Sequence, residues 1–294
     1  MPEAGGDQPV DTSAVEPWEL PGSDGRPIFG NTHRPPAGVA MIGRLVICHG
    51  FKGYMDYGFL PRLADAAAAI GFAAHRFNFS HGGVTRDFTT FARPDLFERD
   101  TWQRQVHDLT AVVEGQCPED GRPLALFGHS RGGVTALLTA ARLPAERVTR
   151  VITAASPADA ARLEPEARDR LLADGRLASP SGRTGQTLYV GRNWLTEIEA
   201  DPAGHNPRRA SAALGVRAVH LHGDADPTVD PADLDRYAAA NPAAVTRRIA
   251  GANHVFNAPN PLPRDAELPG PTAALFDAVR ETLGPLAGAL WRAG

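Results

Sequence analysis

Ser130 stands in the run ALFGHSRGGV, where Gly128-His129-Ser130-Arg131-Gly132 fits the pattern G-x-S-x-G. A serine hydroxyl is a weak nucleophile and needs a base to take its proton. The chain holds 10 histidines that could serve. A carboxylate is needed in turn, to orient an imidazole and stabilise its cation. Carboxylates concentrate in HLHGDADPTVD, residues 220–230, which sets His220 and His222 beside Asp224, Asp226 and Asp230. That stretch could also suggest a metal site, because residues two apart share one face of a strand. No further His or Cys cluster completes a zinc shell, however, and the aspartate spacing lacks the central glycine and terminal glutamate of an EF-hand loop. No metal is expected. No cofactor is expected either, since neither a Walker A sequence nor a dinucleotide G-x-G-x-x-G occurs.

Such groups need a scaffold, and the chain alternates the elements of one. RLVICHG, from Arg44, is a short apolar run ending in glycine, which suits a buried strand. GFLPRLADAAAAIG reads as a helix stopped at Gly71, FAAHRFNF as a strand, and LFERDTWQRQVHDLTAVVEG as one long helix. LALFGHS is a strand followed at once by the helix RGGVTALLTAARL. RVTRVITAAS and VRAVHLHG are strands. PADLDRYAAA, AVTRRIAG and TAALFDAVRETLGPLAGAL supply a helix, a strand and a closing helix. Upstream, WELPGSDGRPIFGNTHRP is an irregular β region turning at Gly22-Ser23-Asp24-Gly25.

Strands separated by helices of roughly 10 to 20 residues pair in parallel through crossovers, so the expected fold class is α/β with a doubly wound, mostly parallel sheet. Residues 157–212 break the rhythm. They lie between two strands yet are mixed and polar, so a small cap or substrate-binding excursion is expected there. Residues 1–16 are polar and rich in Gly, Pro and Asp, and are expected to be poorly ordered. Residues 17–294 are expected to form one domain.

The setting of Ser130 gives its short motif weight. A strand ends at the motif and a helix begins directly after it, whereas a glycine-rich turn with an incidental serine would need neither. A sharp strand-to-helix turn holds the hydroxyl clear at the carboxyl edge of the sheet. The new helix offers unpaired N–H groups and its positive dipole end to a developing oxyanion.

The strand–GHSRGG–helix unit, the upstream strand ending in CHGFKG, and the downstream HGDADPTV and GANHVF together resemble the α/β-hydrolase superfamily. More narrowly, they resemble its bacterial serine esterase and dienelactone-hydrolase-like branch, with feruloyl-esterase-type relatives. The resemblance runs from about Arg44 to the C-terminus and is weakest through 157–212. Dienelactone hydrolases proper carry a cysteine nucleophile, and other enzymes of this fold an aspartate; Ser130 departs from both.

The resemblance implies the order Ser, then acid, then His, with the histidine after the last strand. His254 in AGANHVFN meets that requirement. An H-G-x-x-D-x-x-V pattern places the acid at Asp226, with Val229 as its apolar anchor. Local chemistry offers other work to its neighbours: Asp224 suits turn hydrogen bonding, and Asp230, before Pro231, suits a helix N-cap. The implied oxyanion hole combines the N–H of Arg131 with that of Phe51, in the loop after RLVICHG. His81-Gly82-Gly83 looks like a lipase HGGG loop but follows the wrong strand, and is expected to line the site instead. His129 abuts the nucleophile, with its side chain directed into packing, and is a further substrate-site candidate. Tyr189 and Trp194, apolar residues in polar surroundings, are equally suited to an acyl or aryl pocket and to cap packing. Arg183 and Gln186 are candidates for substrate contact or a solvated face.

The net charge of −4 and pI near 6.2 give no case for binding nucleic acid or anionic membranes. The 2 cysteines, Cys48 and Cys117, make no disulfide framework, and Cys48 reads as a small buried hydrophobe. The N-terminus has neither a basic n-region nor an apolar h-region, so no signal peptide and a cytoplasmic location are expected. The longest apolar stretch, LADAAAAIGFAA, is too short to span a bilayer. The expected partner is a small-molecule ester, hydrolysed through an acyl-enzyme. A serine aminopeptidase or acyltransferase on the same residues is the rival within enzymes, and a non-catalytic small-molecule binder the rival outside them.

Overall fold

A computed structural model describes residues 15–289 of the chain, with side chains through residue 286. Of the stretch expected to be poorly ordered, residues 1–14 lie outside the described residues, while Val15 and Glu16 already belong to the first strand.

The chain opens with an antiparallel hairpin, β1 (Val15–Pro21) and β2 (Pro27–His33), closed by a single 3₁₀ turn over Ser23–Gly25. Then follow β3 (Gly43–Cys48), α1 (Leu60–Ala69), β4 (Phe72–Asn78), α2 (Pro94–Glu98), α3 (Trp102–Gln116), β5 (Leu124–His129), α4 (Arg131–Ala140) and β6 (Arg150–Ala154). The excursion expected at 157–212 is built from α5 (Pro165–Asp174), a second hairpin of β7 (Arg176–Pro180) and β8 (Thr187–Gly191), α6 (Arg192–Ala200) and α7 (Pro207–Leu214). The chain then rejoins the sheet in β9 (Ala218–Gly223), and closes through α8 (Asp233–Ala240), β10 (Val245–Ile249) and α9 (Gly270–Ala289). No helix among the described residues is long and apolar enough to cross a membrane.

The main sheet has 8 strands in the order β1-β2-β4-β3-β5-β6-β9-β10. From β4 to β10 neighbours run parallel, and β1 and β2 add an antiparallel edge. Strands β3, β4, β5 and β9 are buried along their whole length, which explains their continuous apolar runs. Alternate side chains serve opposite faces. Leu45, Ile47, Ala125 and Phe127 pack with α1 and α9, whereas Val46, Cys48, Leu124 and Leu126 pack with α3 and α4. A slip of one residue would exchange these sets, and each misplaced Leu or Ile forfeits roughly 1.5–3 kcal/mol of burial, so the register is tightly held. Cys48 and Cys117 are free and buried; burial alone pushes the Cys48 thiol far up, and chiefly burial takes Cys117 up to about 12.

After β3 the chain winds to β4 on one side, then returns through α3 to β5 on the other. Cys48 pairs with Gly128, so the carboxyl ends of β3 and β5 lie side by side where the winding reverses. Crevices form at such switch points because the connections on either side lead away from them.

The expected single helix over 96–115 is two. It breaks at Arg99-Asp100-Thr101, where Thr101 turns extended and its hydroxyl accepts the Arg104 N–H to start α3. The break has a tertiary cause: it turns the Asp100 carboxylate inward, 3.1 Å from the Arg131 guanidinium.

Candidate active site

Ser130 sits between β5 and α4 with φ 54° and ψ −123°. Such a conformation costs a serine on the order of 1–3 kcal/mol and persists only where its surroundings impose it. Its N–H donates to Ala154 O at 2.8 Å, and its carbonyl accepts from Gly133 N–H at 2.9 Å. The flanking glycines permit the turn. A Cβ on Gly128 would stand 2.2 Å from Gly132 O, and one on Gly132 would stand 2.5 Å from His49 O. Both neighbours are backbone, which cannot swing aside.

His254, in the loop after β10, places Nε2 3.1 Å from Ser130 Oγ. Its Nδ1 lies 2.9 Å from Asp226 Oδ2. Asp226 Oδ1 accepts the N–H groups of Thr228 and Val229, at 2.8 and 3.0 Å. Burial would raise the Asp226 pKa, but hydrogen bonds from His222, His254 and Thr228 hold it below the usual carboxylate range. The carboxylate is therefore anionic at neutral pH. The other two aspartates do separate work. Asp224 Oδ1 accepts Gly251 N–H at 2.7 Å, tying the ends of β9 and β10 together. Asp230 Oδ1 accepts Ala232 N–H at 3.0 Å in the turn before α8, whose N-cap is Ala232, so it braces that turn and is not the N-cap its sequence suggested.

His129 is buried, and burial takes its pKa down to about 3, so it is neutral. Its Nε2 donates to His254 O at 2.8 Å and steadies the loop that carries that imidazole. His49 plays the same part for the loop after β3. Its Nδ1 donates to Gly50 O at 2.9 Å, and burial lowers its pKa to about 4. A Cβ on Gly50 would come 3.1 Å from Ser130 Cβ, so the strip carrying Phe51 crosses directly over the nucleophile position. The Arg131 amide opens α4, where no helical carbonyl is available to it. Its side chain turns away, stacking over Trp102 at 4.5 Å and meeting Asp100, whose pKa burial raises to about 6.

Two cavities meet at Ser130 and Phe51. One, of about 310 Å³, is largely apolar and runs beneath the excursion between Trp102, Leu171, Val190 and Trp194. The other, of about 210 Å³, contains His129, His254, Lys52 and Arg183. The excursion thus forms one wall of each.

Two expected site residues lie elsewhere. His81 is buried with Nδ1 3.0 Å from Ser80 Oγ and Nε2 3.6 Å from Asp24, and lines neither cavity. Its turn serves instead as backing, since a Cβ on Gly82 would stand 3.9 Å from the His49 ring. Tyr189 faces away because strand side chains alternate: Val190 points to the larger cavity, and Tyr189, on the opposite face, lies under Arg176 at 4.1 Å. Gln186 spends both ends of its amide on Phe91, accepting its N–H at 2.9 Å and donating to its carbonyl at 3.1 Å. The sequence offers His222 only as a possible metal ligand and assigns His49 no side-chain role. Each stands directly before a glycine at or just past the end of a buried strand, and that shared His-Gly pattern is the signal that points to them.

A doubly wound sheet with a serine on the turn after its central strand, backed by histidine and aspartate, defines a hydrolase-type scaffold. The sequence matches the family described as "Alpha/beta hydrolase family" over residues 45–266, and the chain belongs to that family. No curated protein sequence matches it. Among solved structures it is similar to Est1E from Butyrivibrio proteoclasticus, at 16% identity over 92% of this chain and 99% of that one, with a TM-score of 0.66. It is similar to alpha/beta hydrolase domain-containing protein 10 from mouse, at 17% identity over 92% and 99% of the two chains and a TM-score of 0.66. It also resembles XC6422 from Xanthomonas campestris, described as an a/b serine hydrolase without lid, at 19% identity over 95% and 97%, with a TM-score of 0.55. At these identities the likeness concerns the fold.

Proposed function

We propose that the protein is a serine hydrolase of carboxylic esters working through an acyl-enzyme. The observation that carries this reading is the unbroken chain Ser130 Oγ–His254 Nε2, His254 Nδ1–Asp226 Oδ2, at 3.1 and 2.9 Å, opening on an apolar cavity. Ser130 Oγ attacks the ester carbonyl while His254 Nε2 takes its proton. Asp226 holds Nδ1 protonated and stabilises the imidazolium. The Phe51 and Arg131 amides receive the oxyanion. Collapse of the tetrahedral intermediate breaks the bond to the leaving oxygen, which takes the proton from His254. Water then repeats the sequence on the acyl-enzyme: it loses a proton to His254, adds hydroxide to the acyl carbon, and releases the acid as Ser130 regains its proton. Support from relatives is of a general kind, in that Est1E has been seen with ferulic acid bound.

A fluorophosphonate is expected to add one label to the native protein and none to Ser130→Ala, and that variant is expected to lose at least about 10⁴-fold in ester turnover. Full labelling and activity in Ser130→Ala would remove the reading. A panel of p-nitrophenyl esters against aminoacyl anilides, with an alcohol acceptor in one arm, separates ester hydrolysis from peptidase and acyl-transfer activity.

A further inference from the structure

The two cavities differ in a way that assigns them to different halves of a substrate. This assignment rests on the serine-ester reading above. In acylation, His254 must hand its proton to the leaving oxygen, so the leaving group has to lie on the side where Nε2 is reachable. His254 lines the 210 Å³ cavity and not the 310 Å³ one. The acyl group is left the larger, apolar arm between Trp102, Leu171, Val190 and Trp194.

Charge distinguishes the arms further. The cations of the acyl arm have carboxylate neighbours: Arg131 meets Asp100 at 3.1 Å, and Arg162 lies 3.8 Å from Asp233. The leaving-group arm contains Lys52, the chain's only lysine, and Arg183. Neither has a carboxylate partner among the described residues. Lys52 Nζ donates to Pro180 O at 2.6 Å. Arg183 Nη1 donates to Phe88 O and Thr89 O at 2.6 and 3.1 Å, and its guanidinium lies 4.7 Å from the Tyr54 ring centre. Carbonyl oxygens and a ring face satisfy geometry but leave both formal charges uncompensated. No Asp or Glu lines this arm. Burial lowers the Lys52 pKa, so its charged form is held at a cost that a bound anion would relieve.

We propose that the 210 Å³ arm receives an anionic leaving group, an alcohol bearing a carboxylate or phosphate that Lys52 and Arg183 jointly recognise, while a neutral apolar acyl group fills the 310 Å³ arm. The two cations come from segments far apart in the chain, Lys52 from the loop after β3 and Arg183 from the β7–β8 turn. They line one cavity only because the excursion folds back over the site, and the Lys52–Pro180 bond ties the two segments together.

The test compares 3-(carboxymethyl)phenyl butyrate with its neutral isostere 3-(carbamoylmethyl)phenyl butyrate, and includes the 3-(phosphonomethyl)phenyl ester to separate carboxylate from phosphonate recognition. All three form the same butyryl-enzyme, so differences in kcat/KM report acylation and leaving-group binding. The native protein is expected to favour an anionic ester over the amide by about tenfold at low salt, with the ratio shrinking as salt is raised. Lys52→Gln/Arg183→Gln is expected to bring that ratio close to one, and Lys52→Arg to keep it. A native ratio at or below one for both anions would overturn the proposal, as would a preference that survives loss of both cations. Failure to hydrolyse any of the three, with no fluorophosphonate label on Ser130, would instead overturn the ester reading and this assignment with it.

Discussion

His222 Nε2 lies 3.2 Å from Asp226 Oδ2, the same oxygen that stands 2.9 Å from His254 Nδ1. The Val229 carbonyl, also 3.2 Å from His222 Nε2, can only accept, so that nitrogen carries the proton. Asp226 thereby has imidazole donors on one oxygen and the Thr228 and Val229 amides on the other. A carboxylate gripped at both oxygens cannot rotate, and its lobe stays aimed at His254. His222 is in this sense a positioning residue, acting on the imidazole through the aspartate.

Replacing His222 by Phe keeps the ring and removes the donor. The expected outcome is a fall in kcat of about tenfold with little change in KM, partly restored by His222→Gln, whose amide nitrogen stands near the Nε2 position and can still donate. Steady-state kinetics on a p-nitrophenyl ester check this. A purely structural role would lower the folded fraction and leave kcat per active site, measured by fluorophosphonate titration, unchanged.

Gly132 has no room for a methyl group. A Cβ there would stand 2.5 Å from His49 O and 2.6 Å from Cys48 O, forcing β3 and α4 apart. Gly132→Ala is expected to cost about 1–3 kcal/mol of stability, read from urea unfolding. Since the same shift drags the Phe51 strip away from Ser130, activity should fall by more than the loss of folded protein explains.

His205 ties α6 to the core. Its Nε2 is 3.1 Å from Glu197 Oε1, and Glu197 also accepts Gln103 N–H at 2.9 Å, just inside α3. The Glu197 carboxylate raises the pKa of His205 against the effect of burial. A histidine whose folded pKa is raised contributes stability that is fully present below its unfolded value of about 6.5 and is lost as pH rises through the folded one. His205→Gln should therefore destabilise most at about pH 5 and least at about pH 9, compared by urea midpoints. A difference that grows with pH would contradict the pairing.

Ala160 lies on the wall of the larger cavity. Ala160→Phe should fill much of its volume and lower kcat/KM for octanoate esters by at least about tenfold relative to acetate esters, which need little of it. Equal losses for both chain lengths would show that the acyl group lies elsewhere.

Much of the candidate site is legible in the sequence because its parts are local. G-x-S-x-G between an apolar strand and a helix already dictates a strained turn, and the His-Gly-x-x-Asp spacing after a later strand fits an acid beside the sheet's edge. The excursion at 157–212 is visible as a break in rhythm for the same reason. Side-chain direction across packed elements is another matter. Tyr189 and Val190 are neighbours with the same apolar character, and only the pairing of β7 with β8 turns one to the cavity and the other beneath Arg176. His81-Gly82-Gly83 has the composition of a site loop, yet it serves as backing behind His49 because it follows β4, one strand away from β3.

By itself the sequence determined the strand–helix alternation and the turn that exposes Ser130, since each depends on residues within a few positions of one another; the order of serine, acid and histidine followed only from the resemblance to a family. Only the tertiary structure decided that the helix before β5 breaks at Asp100 to meet Arg131, that His222 shares a carboxylate with His254, and that Lys52 and Arg183 line one cavity. These are contacts between segments far apart in sequence, and no local propensity or spacing carries information about them. They exist because burying both faces of one sheet leaves its carboxyl edge as the place where the loops converge.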